Sequence, residues 1–454
     1  MAAYLLFEVM VMLLSRLNDV VWSPWLLGLF LAAGLYYSLR TGFFQIFRIP
    51  LWLRTTFGAM LRRRGRGNGR GISQFQALAT ALASTIGTGS IAGVATAIWF
   101  GGPGAVFWMW VSALLGMMTG CAEKLLSVRY RRAGPAGWLG GPMYYIRDGL
   151  KSPLLAGWFA LACLPATLTG GDMVQSSSIA AALQATFGWD RLAVGAAVAV
   201  LTGLVMVGGI GRIARVSSGL VPAMALLYLG GGAAVLAARA DQIPEAMALI
   251  FCSALRPEAA VGGGMGYTLA AALRYGVARG VFTNEAGLGT SAMAHAAAEV
   301  DCPARQGMWG IVEVCVSTLL VCTATALVIL VSGVYGPADA LVRGALGAVP
   351  PDRLGAPLTA AAFSSVLGPW GGAVVSLSLL LFAFSSILGW SWYGEQSILY
   401  LTGSRRLVPA YRLVFLSCVV LGSVWEGEAV WELVNGTPQA YAAALSGLRT
   451  ADEA

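Results

Sequence analysis

Two stretches of this chain place glycine, hydroxyl and amide residues where an apolar helix should run unbroken. The first, Gly87-Thr88-Gly89-Ser90, interrupts residues 75–100, and the second, from Thr283 to Gly289, interrupts residues 266–294. Non-helical backbone at membrane depth survives only where protein buries it or where it lines a polar cavity. Unwinding at Gly87–Ser90 frees carbonyls at the end of one half-helix and presents amides at the start of the next. Such amides, at the positive end of a helix dipole, suit a carboxylate; the freed carbonyls suit a hard cation. Glycines that only let helices pack closely are the plainer alternative, and the Thr and Ser in the same turn argue against it. Paired interruptions at matching places in two halves point to the binding site of a transporter.

Other chemistries fit less well. Gly87 to Ala92 spells the GxGxxA dinucleotide fingerprint, but that motif needs a preceding strand in a soluble βαβ unit, and its flanks here are apolar helix. The sequence holds neither HExxH nor GxSxG, and its one histidine, His295, rules out a multi-histidine metal site. The chain is therefore not read as an enzyme. A passive channel would want rings of like groups around a symmetric pore, unlike two asymmetric breaks. Seven cysteines without CxxC spacing read as small buried hydrophobes.

The elements that must carry the breaks are membrane helices. With 57% hydrophobic and 11% charged residues and a mean hydropathy of +0.73, the composition excludes an ordinary soluble domain. About eleven runs reach the roughly 20 residues needed to cross a bilayer. They lie near 22–39, 75–100, 104–128, 153–183, 192–210, 217–238, 266–294, 307–331, 361–390, 409–424 and 429–448. Basic residues cluster after the odd-numbered spans: Arg62, Arg63, Arg64, Arg66 and Arg70; Lys124, Arg129, Arg131 and Arg132; Arg212 and Arg215; Arg405 and Arg406. The positive-inside rule then puts the N-terminus outside and the C-terminus in the cytoplasm of a multi-pass plasma (inner) membrane protein. The net charge of +8 is thereby a topology signal. Nothing calls for a nucleic acid or an obligatory protein partner.

Residues 1–73 read as an interfacial segment, one span and a basic loop, and the first 21 residues lack the basic n-region of a cleaved signal. Two five-span groups follow, 74–238 and 266–454, joined by an extracellular connector at 239–265 that includes an outer-surface helix near 241–255. An odd span number per group inverts the second relative to the first, an inverted-repeat topology. The Gly- and Pro-rich loop 333–357 should lie outside.

The stretch ISQFQALATALASTIGTGSIAGVATAIWFGGPGAVFWMWVSALLGM resembles the alanine/glycine:cation (sodium:alanine) symporter family. So do GGPMYYI, GDMVQSSSIA, RGVFTNEAGLGTSAMAHAAA and LFAFSSILGWSWYGE. The resemblance covers nearly the whole chain. It implies an all-α, LeuT-like bundle of five-plus-five inverted repeats with one extra N-terminal helix, and uptake of alanine or glycine driven by sodium. Coupling to protons, or transport of another neutral amino acid such as glutamine, is the related alternative. No cofactor is implied beyond sodium as the coupling ion.

By the same resemblance, Thr88, Gly89 and Ser90 belong to the substrate site, the Thr88 and Gly89 amides receiving the substrate carboxylate. Gln175 is the pocket glutamine, and a neutral donor–acceptor side chain suits a zwitterion. Phe282 is a pocket wall. Ser386 and Trp390, one helical turn apart and so on one face, also reach the pocket, the indole limiting side-chain size. Ser385 and Ser386, with the carbonyls of Ala83 and Ile86, are implied to hold sodium; hydroxyl and carbonyl oxygens suit that hard cation. Asn284 and Glu285 sit in the second break, where an ionisable group marks function; gating or support is expected of them, with Arg279 as the partner of Glu285. His295 reads as an interfacial polar residue or a proton relay, and Glu123 as a structural partner of nearby basic residues. Three positions depart from the family pattern: Ser90 and Asp172 stand where Asn is common, and Ser317 stands where an intramembrane Asp is usual. The final span also lacks a usual Asp and is shortened around 434–439.

Overall fold

A computed structural model describes residues 23–61, 71–134, 137–255, 269–336 and 355–425. The readings made for the first 21 residues, the basic loop at 62–70, much of the loop at 333–357 and the final span at 429–448 fall outside these. Six described helices are long and apolar enough to cross a bilayer, and a bent pair, Gln74–Thr85 with Gly89–Gly101, makes a seventh. Trp25–Arg40 and Arg191–Met206 are shorter apolar helices at two further expected spans. The expected run 361–390 is in fact two elements. Gly368, at φ +58°, ends a short helix, Ala356–Leu367, and starts the 34-residue helix Pro369–Thr402. Two three-residue strands, Arg132–Gly134 and Gly137–Leu139, pair antiparallel and are the described departure from an all-helical chain.

Burial is that of a protein dissolved in lipid. Trp25, Leu226 and Leu413 face outward, whereas Lys124, His295 and Glu313 are wholly inside. With no water in the bilayer core to satisfy polar groups, the protein interior must do so. Small residues let the helices carrying those groups approach. A Cβ on Gly310 would stand 2.6 Å from the Gly120 carbonyl oxygen, so Gly104–Arg129 and Pro303–Val314 touch along their backbones.

Local sequence starts the first broken helix cleanly. Ser73 accepts the Gln76 amide at 3.1 Å, and the Gln76 side chain takes the Ser73 amide at 3.0 Å, a capping box. Just before it, Ile72 donates to the Ala297 carbonyl at 3.0 Å and accepts from Glu299 at 2.8 Å. That bridge ties the start of the first broken helix to the end of the second. The helix Ile243–Leu255 packs on Gly104–Arg129, with Ile250 and Ala254 buried.

Candidate functional site

The first broken helix bends by 54°. Its first half ends at Thr85, and Ile86, with ψ 76°, turns the chain out of the helix. A π-helical turn, Gly89–Gly93, restarts it. The second break follows Asn284. Glu285 adopts φ +53°, and Gly287 and Gly289 adopt φ +101° and +75°. The Asn284 side-chain oxygen accepts the Ala286 amide at 3.0 Å, which stabilises the turn as an Asx motif does.

A cavity of about 210 Å³ lies between the breaks. Ser84, Thr85, Gly87 and Gly89 line it from the first, Phe282, Glu285 and Leu288 from the second, Ala166, Thr169, Gly170 and Gln175 from Pro153–Phe187, and Trp390 from Pro369–Thr402. It is smaller than the roughly 300–1,000 Å³ of drug-sized sites and suits one small molecule. Gln175 joins two of its walls: its amide nitrogen donates to the Gly170 carbonyl at 3.1 Å, and its oxygen accepts the Thr88 amide at 3.2 Å. Trp390 lies over Gly171, where an added Cβ would come within 2.4 Å of the indole. Gly171→Ala should therefore drive the indole into the cavity and lower the affinity for its ligand at least tenfold without loss of folding. Isothermal titration beside a thermal melt checks this; unchanged affinity would mean that the indole does not bound the site.

Of the expected substrate residues, Gly89, Gln175, Phe282 and Trp390 line the cavity. Ser386 stands beside it, its hydroxyl 3.0 Å from where a Gly87 Cβ would be. Ser90 does not line it; its carbonyl accepts from Thr325 at 2.9 Å, toward Pro303–Val331. Among the sodium residues, Ser385 donates to the Ala83 carbonyl at 3.1 Å, while Ser386 donates to the Ser84 carbonyl at 2.9 Å. Ser84, missed in the sequence, also bonds the Tyr393 hydroxyl at 2.6 Å. Carbonyls of the first broken helix and hydroxyls of Pro369–Thr402 thus meet in two adjacent pairs, a donor set of neutral oxygens that fits sodium. Among the described residues no three carboxylate, histidine or cysteine groups form a transition-metal site.

Three sequence expectations need correction. Lys124, counted among the loop charges, is fully buried, 3.3 Å from Glu313 and 3.6 Å from Glu123. His295 is buried rather than interfacial, with Nε2 3.1 Å from Glu313 and Nδ1 2.7 Å from the Gln306 side chain. Glu285 accepts from the Thr290 hydroxyl, while the Arg279 guanidinium lies 5.9 Å from the Phe282 ring centroid. Glu123 keeps its expected basic neighbour and also accepts the Gly287 amide at 2.9 Å. Glu313 and Gln306 carried no motif that would have singled them out. Asp172 is wholly buried, its carboxyl oxygens without a hydrogen-bond partner among the described residues.

Comparison with known proteins follows the same lines. The profile of the sodium:alanine symporter family matches residues 7–444. The chain is 40% identical over 432 residues to the sodium/alanine symporter AgcS of Methanococcus maripaludis, covering 94% of this chain and 91% of that protein. It is 35% identical to the probable sodium/glutamine symporter GlnT of Bacillus subtilis, over 92% of this chain and 83% of that one. A solved manganese transporter of Eremococcus coleocola superposes with a TM-score of 0.54 at 16% identity, covering 83% of this chain and 78% of its own. That last likeness is one of fold alone.

Proposed function

Because the chain belongs to the sodium:alanine symporter family, we propose that it takes up alanine or glycine with sodium by alternating access. The observation that carries this reading is the junction of Ser385 with the Ala83 carbonyl, 3.1 Å apart, beside a small cavity floored by a broken helix. Sodium held there would tie the first broken helix to Pro369–Thr402. Its differential affinity for that arrangement is what shifts the conformational equilibrium. The substrate carboxylate would take the Thr88 and Gly89 amides. Thr88 N–H would then leave Gln175, whose freed oxygen would accept the substrate ammonium. Asn284, Glu285 and Arg279 would support or gate the second break.

We further propose that residues 74–238 and 266–454 form inverted repeats around the site, with 239–265 as an outer connector. The protein sits in the plasma membrane with its N-terminus outside, a reading supported by Arg129, Arg131 and Arg132 without Lys124.

The test is uptake of labelled amino acids into proteoliposomes with sodium and proton gradients imposed separately. Alanine or glycine should accumulate under the sodium gradient; equal accumulation under a proton gradient without sodium would overturn the coupling ion. Ser385→Ala should raise the sodium concentration for half-maximal uptake about tenfold or more, the magnitude of a lost charge-assisted contact of about 1.5–3 kcal/mol. The glutamine alternative would show as wild-type preference for glutamine over alanine.

A further inference from the structure

The non-helical residues 285–288 separate two cavities. Glu285 and Leu288 line the substrate cavity. Gly287, between them in sequence, lines a second cavity of about 390 Å³ together with Glu123, Tyr145 and Tyr37. Glu123 accepts the Gly287 amide, so one carboxyl stands on each side of this partition.

The charges around it do not balance. Glu123, Glu285 and Glu313 face one lysine, Lys124, all within electrostatic reach of one another. With His295 neutral, two negative charges are left over; with His295 charged, one is. Cys163 and Tyr393, which also face Glu285, bring no positive charge. An unpaired ionised carboxylate is strongly disfavoured in such an interior, so the group takes up a proton instead. Glu313 lies against Lys124 and His295, and Glu123 against the same Lys124 and a backbone amide. Glu285 receives a neutral hydroxyl, that of Thr290.

We infer that Glu285 is a proton-binding site, exchanging its proton through Glu123 with the second cavity as the substrate cavity fills. The linkage to filling rests on the transport reading above. When sodium and the amino acid bind, the added positive charge favours ionised Glu285. Its O–H proton then passes to the Glu123 carboxylate and on to water in the second cavity, and no other bond changes.

Infrared difference spectroscopy on the full chain in lipid vesicles tests this, reading the carbonyl stretch of buried protonated carboxyl groups. The wild type should show a band that disappears on raising the pH. Glu285→Gln should lack it, and Asp172→Asn, at a buried carboxyl without a hydrogen-bond partner among the described residues, should keep it. Glu285→Asp should keep a titrating band at a displaced frequency, which carries the test should the glutamine variant fail to fold. A band unaltered in both Glu285 variants overturns the proton site. Sodium with alanine should bleach the same band at fixed pH, whereas a Glu285 band that ignores them removes the linkage. If those vesicles also fail to accumulate alanine, the transport reading has failed and the pH-titrating band still establishes the proton site.

Discussion

Lys124→Met is expected to destabilise the protein by about 3–5 kcal/mol, the cost of removing one member of a buried ion pair. Lys124 is wholly buried and is the cation that Glu313, at 3.3 Å, and Glu123, at 3.6 Å, share. Methionine fills similar volume, so the loss is electrostatic rather than a cavity effect. Removing the opposing charge should therefore restore part of it. Lys124→Met with Glu313→Gln should be more stable than Lys124→Met alone, because the uncompensated carboxylate is gone. Denaturant titration of detergent-solubilised single and double variants reads this directly. A single variant within about 1 kcal/mol of wild type, the scale of an exposed pair, would mean that Lys124 reaches water.

The same lysine shows where sequence reading stops. Lys124 lies near the end of an apolar run that leads into Arg129, Arg131 and Arg132, so charge counting alone assigns it to a loop. Its partner across the helices, Glu313, lies on a helix that packs closely on Gly104–Arg129, where Gly120 and Gly310 let the backbones touch. Pairing across helices is a property of packing, which no local pattern encodes. The breaks were legible for the opposite reason. Glycine, hydroxyl and amide residues inside an apolar run violate the local rule for a lipid-facing helix, and such violations gather at functional sites. The Ser73–Gln76 capping box likewise acts within one turn. The site lay between these extremes: the residue types around the first break were readable, but not which carbonyl each serine would meet. Hence Ser385 meets the expected Ala83 carbonyl while Ser386 meets that of Ser84, and the Ser90 carbonyl accepts from Thr325. The division at Gly368 was hidden because both flanking helices are apolar and one continuous hydropathy window covers them.

Trp390→Ala should change which amino acids the protein binds. The indole lines the cavity, lies against Gly171 and meets Tyr393 edge-on with ring centroids 5.6 Å apart, so it is a wall braced from two sides. In a space of about 210 Å³, such a wall would touch the methyl of a bound alanine and collide with a longer side chain. Truncation removes the methyl's packing partner, worth about 0.8 kcal/mol for one buried carbon, and alanine should bind roughly fourfold more weakly. Leucine and glutamine should gain, because the vacated indole volume takes their extra carbons and relieves the collision. Glycine, with no carbon to lose, should change least, which separates the loss of a specific contact from general damage to the site. A competition series from glycine through alanine to leucine and glutamine, on wild type and variant, measures all of this. An unchanged ranking would remove Trp390 from substrate contact. Equal losses for glycine and alanine would mean that the indole supports the cavity from behind without touching the side chain.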